Sequence, residues 1–196
     1  MSLNKTIALI TITAIICIIL GATIPNCLTS KDVKEVSMNK VLYYYMKVQD
    51  KLIVDNVMIN ARVRNIPESL IFAIIKKESL FDPKAINTSN ENGTTDFCLM
   101  QLNSQTFYYL TERELMNISY NIYHGCELLE RLYKEFDGNL VKIIMSYNCG
   151  SWVVKNGKIP QRTLDYLNDV LKYKAIYEIE IMKMELKNER NSNWRL

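Results

Sequence analysis

The sequence has 196 residues, of which 48% are hydrophobic, and a formal net charge of +3. This length allows one compact domain together with a targeting segment, and the apolar content excludes general disorder. The charges are nearly balanced and no dense basic run is present, so composition gives no support for nucleic-acid binding.

The first 28 residues are predicted to form a signal peptide or an N-terminal membrane anchor. Residues 6–24 carry no charged side chain and follow the basic residue Lys5. An uncharged run of this length is long for a signal-peptide core and close to the roughly 20 residues that span a bilayer. Under either alternative the remainder is exported and works outside the cytoplasm, and any membrane contact is made through this segment alone.

Helices are predicted over most of the remaining chain. Apolar positions between Val41 and Val57 trace a first helix. Pro67 suits the first turn of a second helix that runs to about Phe81 and ends at Asp82-Pro83, because the residue before a proline avoids the helical region.

A polar loop over 87–96 precedes the short apolar run "FCLMQL", which is predicted to be a brief strand or an irregular segment near 96–102. Further helices are predicted at about 104–110, 117–136, 139–148 and 161–189. The last one carries an apolar stripe at spacings of three and four: Leu164, Leu167, Leu171, Ala175, Ile179, Met182 and Leu186. The fold class is therefore mainly α, with helical extensions at 29–64 and 171–196 around a domain at 65–170.

Glu78 stands on an apolar helix stripe. It follows Ile71 at i+7 and continues the face marked by Ile74 and Ile75. Partial burial there would raise the pKa of the carboxyl, so that it can donate a proton to a leaving-group oxygen, as glycosidic cleavage requires. The competing structural interpretation is a helix-end glutamate that reaches solvent or caps a neighbour.

Five motifs occur in one order over residues 78–167: "ESLFDPKAIN", "NGTTDFCLMQLNS", "NISYNIYHG", "IIMSYNCG" and "GKIPQRTLDYL". Together they resemble the SLT-type lytic transglycosylases of glycoside hydrolase family 23. The resemblance is strongest to the small single-domain members that accompany secretion, conjugation and pilus machines. It implies a lysozyme-like fold for the domain at 65–170, a peptidoglycan glycan strand as substrate, and an envelope-spanning secretion or pilus machine as a possible partner.

The resemblance also implies roles for individual residues. Glu78 matches the catalytic acid. The matched substrate-binding positions are Ser79, Met100, Gln101, Tyr147, Asn148 and Tyr166. Thr163 matches the threonine of the family's T-x-x-Y motif. From residue type alone, Tyr147 and Asn148 would be read as packing and a helix cap.

Family members cleave the bond between N-acetylmuramic acid and N-acetylglucosamine without water. The glutamate protonates the glycosidic oxygen and then, as a carboxylate, removes the proton of the muramic acid C6 hydroxyl. The C6 oxygen attacks C1 and gives a 1,6-anhydro product. One carboxyl therefore serves as acid and then base.

Asp96 keeps a second mechanism open. The string around it also resembles C-type lysozymes, in which an aspartate at this place is the second catalytic carboxylate, so a hydrolase using Glu78 and Asp96 is one alternative. An Asx-turn aspartate is the structural alternative. A non-catalytic glycan-binding or envelope-assembly module is a third functional class.

The cysteines mark the departures from the family pattern. Cys98 replaces a glycine before the L-M-Q string, and Cys149 replaces the alanine of Y-N-A-G. Because both should flank one cleft, a disulfide between them is a hypothesis, and small buried apolar residues are the alternative. No C-x-x-C motif is present and His124 is the only histidine, so no metal ion or other cofactor is expected.

Overall fold

Helices dominate the computed structural model, which describes residues 38–193, and three two-residue strands form a small sheet. The elements are α1 (Met38–Val48), α2 (Lys51–Arg64), α3 (Glu68–Ser79), β1 (Ile86–Asn87), β2 (Asp96–Phe97), β3 (Leu102–Asn103), α4 (Glu112–Leu115), α5 (Ile118–Glu135), α6 (Leu140–Cys149), α7 (Ser151–Lys155) and α8 (Gln161–Asn193). The mainly α fold class is confirmed. The predicted signal or anchor segment, residues 1–28, lies outside the described residues.

The helix predicted across Val41 to Val57 divides into α1 and α2. Gln49 adopts a left-handed conformation with φ +58°, which ends α1. Asp50 then caps α2, because its side chain accepts hydrogen bonds from the backbone N–H groups of Leu52 and Ile53. Apolar spacing does not reveal this break, since it continues on both sides of the cap.

Helix α3 is the central helix of the core. Every residue from Ser69 to Ile75 is buried, so the helix is apolar on all sides rather than along one stripe. Burying a side chain such as Ile74 contributes about 2 kcal/mol. The helix ends at Ser79, before Leu80 and Phe81, which both have positive φ. Glu78 therefore occupies the last turn of a buried helix.

The sheet places Asp96 between two asparagines. Strands β1, β2 and β3 pair antiparallel, with Asn87 opposite Asp96 and Asp96 opposite Asn103. The brief strand predicted near 96–102 is present. The helix predicted at 104–110 is wrong, because these residues form turns instead. The Asn103 side chain accepts from the backbone N–H groups of Gln105 and Thr106, which competes with helix formation.

The helices predicted at 117–136, 139–148 and 161–189 correspond to α5, α6 and α8. The short helices α4 and α7 were not predicted. Helix α4 is stabilised locally by a capping box in which the Thr111 hydroxyl accepts from the Glu114 N–H and the Glu114 carboxylate accepts from the Thr111 N–H.

The apolar stripe predicted for α8 does not form its main buried face. Helix α8 instead packs onto α3 and α1 through Tyr166, Val170, Tyr177 and Ile181, which are all buried. The stripe residues Leu164, Ile179, Met182 and Leu186 are exposed. Two of these four buried residues are tyrosines, and an aromatic ring buries more apolar surface than an aliphatic side chain.

Across residues 38–193, none of the helices combines the length and hydropathy that a membrane crossing requires.

Gly125 in α5 allows close packing against Met100. A Cβ at Gly125 would lie 2.4 Å from the Met100 Sδ, and Met100 is fully buried. We predict that Gly125→Ala destabilises the protein by about 1–3 kcal/mol through overpacking. Chemical denaturation checks this, with the double variant Gly125→Ala/Met100→Ala as control. The cost of Gly125→Ala should shrink when Met100 is already alanine, and purely additive costs would contradict the packing argument.

Candidate active site

A cleft of about 480 Å³ opens beside the C-terminal end of α3. Its lining comes from four places in the chain: the end of α3, strand β1 with the residue before it, the β2–β3 turn, and α8. The lining residues are Lys76, Lys77, Glu78, Ser79, Leu80, Ala85, Ile86, Asn87, Gln101 and Tyr173.

The Glu78 carboxyl meets the Tyr166 hydroxyl inside this region. The Tyr166 hydroxyl donates a hydrogen bond of 2.6 Å to Glu78 Oε1. Burial raises the pKa of Glu78 to about 7. The hydrogen bond from Tyr166 has the opposite effect and lowers this pKa. The negative charge of Asp96 raises this pKa further, and the positive charge of Lys77 lowers it. Glu78 is thus a carboxyl that can hold its proton near neutral pH.

Gln101 reaches the cleft from a tight turn between β2 and β3. Its Nε2 donates to the backbone carbonyl oxygens of Cys98 at 2.7 Å and Ala85 at 3.2 Å. Cys98 and Gln101 both adopt left-handed backbone conformations, with φ of +62° and +46°. Cys98 thus has a left-handed backbone conformation, which glycine adopts with the least strain. This conformation gives a physical reason why the resembled motif has glycine at this position.

Met100 was predicted to bind substrate, but its side chain lies in the core and not in the cleft lining. Its side chain is fully buried against Gly125, and it is absent from the cleft lining. Its backbone carbonyl accepts a 2.9 Å hydrogen bond from the Tyr147 hydroxyl. Burial raises the pKa of Tyr147 well above its usual value, and the charge of Glu78 adds to that shift.

Asn121 was not predicted as a functional residue, yet it holds the β2–β3 turn in place. Its side-chain oxygen accepts from the Met100 N–H at 2.8 Å, and its amide nitrogen donates to the carbonyl oxygens of Phe97 and Leu115. The signal was available, because Asn121 is a polar residue on the buried stripe that Ile122 and Cys126 mark on α5. A polar residue on an apolar stripe was also the signal for Glu78.

Asp96 is held by three amide groups. Asn103 Nδ2 donates to Asp96 Oδ1 at 2.7 Å, while the Nδ2 groups of Asn90 and Asn87 donate to Oδ2 at 2.8 and 3.2 Å. Both carboxylate oxygens therefore organise the sheet and the loop before it.

The remaining predicted site residues lie near the same helix ends. Thr163 donates to Asn148 Oδ1 at 2.8 Å, which joins α8 to the end of α6. Ser79 is buried and its hydroxyl donates to the Ile75 carbonyl. Lys76 and Tyr173, which were not predicted as site residues, also line the cleft.

The hypothetical disulfide between Cys98 and Cys149 is absent, since both residues carry free thiols. Cys98 is buried in the strained turn, whereas Cys149 is half-buried at the end of α6. Cys126 is also free and lies in the core, where burial raises its pKa to about 12. Both substitutions of the family pattern are therefore packed thiols.

Within residues 38–193, no group of three or more His, Cys, Asp and Glu side chains is arranged to hold a metal ion.

Two solved structures define the class of fold. The lytic transglycosylase Slt of Pseudomonas aeruginosa, solved as an inactive glutamate-to-glutamine mutant, is similar with a TM-score of 0.54 and 24% identity over 65% of this chain. The 70 kDa soluble lytic transglycosylase of Escherichia coli gives a TM-score of 0.55 and 24% identity over 69%. The chain covers 24% and 26% of those proteins, about a quarter of each. The fold is the lysozyme-like one of SLT transglycosylases, as predicted.

The sequence identifies the family. Residues 55–169 match the transglycosylase SLT domain, which is more than half of the chain. The proteins named IpgF from Shigella flexneri and Shigella sonnei are each 31% identical over 112 residues, covering 54% of this chain and 70% of each relative. The chain belongs to the transglycosylase SLT domain family.

Cys98 offers a test of the strained turn. We predict that Cys98→Gly is more stable than Cys98→Ala by about 1 kcal/mol, because alanine keeps the left-handed strain and glycine does not. Both variants lose the same buried sulfur, and they differ in the backbone strain and in the buried methyl group that alanine keeps, so a more stable glycine variant means that the strain exceeds the gain from burying that methyl group. Thermal and urea unfolding of the two proteins check the order, and an alanine variant of equal or greater stability would contradict the assigned conformation.

The Glu78 pKa offers a second test. Tyr166→Phe removes a hydrogen bond that lowers this pKa, so we expect the pKa to rise above about 7. Asp96→Asn removes a charge that raises it, so we expect the pKa to fall. An NMR titration of the Glu78 carboxyl carbon measures both shifts. Tyr173→Phe, the same chemical change elsewhere in the cleft, should leave the pKa unchanged.

Proposed function

We propose that this protein is a peptidoglycan lytic transglycosylase that cleaves the β-1,4 bond between N-acetylmuramic acid and N-acetylglucosamine and forms 1,6-anhydro-N-acetylmuramic acid. The observation that carries the proposal is the Glu78 carboxyl, which lies in a cleft, accepts from Tyr166 at 2.6 Å and has its pKa raised to about 7. Membership of the transglycosylase SLT family supports the choice of reaction.

Glu78 acts first as the general acid. A carboxyl with a pKa near 7 is protonated in a large fraction of molecules at neutral pH, and it donates that proton to the glycosidic oxygen as the bond to C1 breaks. The Tyr166 hydroxyl donates to Oε1 and fixes the orientation of the carboxyl. This bond also stabilises the carboxylate that remains after proton transfer.

Glu78 acts next as the general base. The carboxylate removes the proton of the C6 hydroxyl of the muramic acid, whose oxygen attacks C1 and closes the anhydro ring. The glutamate is thereby reprotonated for the next cycle. No second carboxylate takes part, which agrees with the use of both Asp96 oxygens by asparagine side chains.

Polar groups around Glu78 hold the sugar. Gln101 uses its amide nitrogen on backbone carbonyls, so its side-chain oxygen is the group left for a substrate N–H or hydroxyl. Asn148 accepts from Thr163 through its oxygen, so its amide nitrogen is left to donate. We assign these two side chains, together with Tyr147 and Ser79, to positioning of the acetamido group.

The setting we propose is the periplasm or cell envelope, next to an envelope-spanning secretion or pilus machine. The support is the resemblance of the ordered motifs to small machine-associated members of the family, together with the likeness to IpgF.

Digestion of purified peptidoglycan by the full-length protein tests the reaction. We expect anhydro-muropeptides by mass spectrometry, and a rate reduced by about 1,000-fold or more in Glu78→Gln, since general acid catalysis contributes about 10²–10⁴-fold. Glu91→Gln, an exposed glutamate with the same chemical change, is the control and should retain activity. The value of kcat/KM should fall as the pH rises above about 7, because the acid must be protonated.

Other products would identify the alternatives. Reducing-end muropeptides that depend on both Glu78 and Asp96 would indicate a hydrolase. Retained glycan binding without turnover by the parent protein would indicate a non-catalytic module. Either result would contradict the proposed reaction.

A further inference from the structure

The two lysines of the cleft differ in their ionic surroundings. Lys77 Nζ lies 2.6 Å from the Asp169 carboxylate on α8, so that ion pair compensates its charge. The ion pairs found among residues 38–193 give Lys76 no carboxylate within 4.0 Å. The cleft therefore contains one compensated and one uncompensated ammonium group.

The Lys76 side chain is held in place without being neutralised. It is half-buried, and its Nζ lies 5.8 Å from the centre of the Phe81 ring. Lys76 is also one of the residues that line the cleft. A fixed cation on a cleft wall attracts an anionic group more effectively than one on open surface, because low-dielectric walls focus the field.

The other charges of the lining favour an anionic ligand. Glu78 is the only acidic residue among the side chains that line the cleft, and its pKa is raised to about 7. When Glu78 carries its catalytic proton, the lining has no negative charge of its own. Tyr173 adds a phenol hydroxyl to the same lining.

We propose that Lys76 is a specificity-determining residue that binds a carboxylate of the substrate. This inference rests on the proposed function, because the anionic groups of peptidoglycan glycan strands are carboxylates. Two sources share this chemistry: the stem peptides, and the lactyl group of N-acetylmuramic acid where no peptide is attached. Strands that carry either carboxylate bind more tightly than strands without one.

Binding to three kinds of soluble glycan strand tests the assignment. The first carries stem peptides, the second is stripped of peptides and has free lactyl carboxylates, and the third is stripped strand whose lactyl carboxylates are converted to amides. All proteins are full length and carry Glu78→Gln to stop turnover, and calorimetry measures Kd at low and high salt.

Lys76→Met should weaken binding of the carboxylate-bearing strands about 10-fold at low salt, as expected for a charge-assisted hydrogen bond. It should leave the third strand unaffected, and Lys76→Arg should retain most of the affinity. Lys84→Met, an exposed lysine outside the lining, is the control for net charge and should change nothing. A loss on the peptide-bearing strand alone assigns the carboxylate to the stem peptide, and a loss on the stripped strand alone assigns it to the lactyl group.

Three results would overturn the inference. The first is an equal loss of affinity for all three strands, which would indicate a packing role for Lys76. The others are no loss of affinity for any strand, and no binding of any strand by the Glu78→Gln protein. The digestion products of the parent protein report separately on the proposed reaction. If the parent protein makes anhydro products but Lys76→Met changes no Kd, the proposed function stands and only the carboxylate assignment is wrong.

Discussion

The antiparallel pairing of α3 with α8 is the constraint on which the site depends. Ser69 donates to Glu178 near the start of α3, Lys77 pairs with Asp169 near its end, and Tyr166 donates to Glu78 in the last turn. A desolvated carboxyl needs a hydrogen-bond partner, and this pairing supplies one from 88 residues along the chain. The carboxyl and its donor therefore meet only in the folded protein, and neither helix contains the site by itself.

The predicted extensions take part in the same packing. Tyr44 of α1 stacks on Phe72 of α3 with ring centroids 3.8 Å apart, and Tyr43 donates to Glu180 of α8 at 2.6 Å. Tyr177 lies edge-on to both tyrosines. Exposed ion pairs add little to stability, so these buried rings carry most of the attachment. The helix α3 that bears Glu78 is thus covered by α1 on one part of its surface and by α8 on another.

Periodicity and motif order predicted the parts of this protein that depend on local sequence. They located α3, α5, α6 and α8, and they singled out Glu78 as a polar residue among buried ones. They did not predict which face of α8 is buried or that Met100 points into the core, because both depend on which neighbours the folded chain supplies. The left-handed turn at Cys98 was also out of reach, since cysteine gives no local signal for positive φ.

Asp96 affects the candidate site through its charge, while its own oxygens hold the fold together. Three asparagine amides donate hydrogen bonds to its two oxygens, two of them to Oδ2 and one to Oδ1. Its charge nevertheless raises the pKa of Glu78 across the cleft. The same carboxylate thus fixes the loop beside β1 and favours the protonated form of Glu78. In the single-carboxyl mechanism that we propose, Asp96 performs both tasks without taking part in bond cleavage.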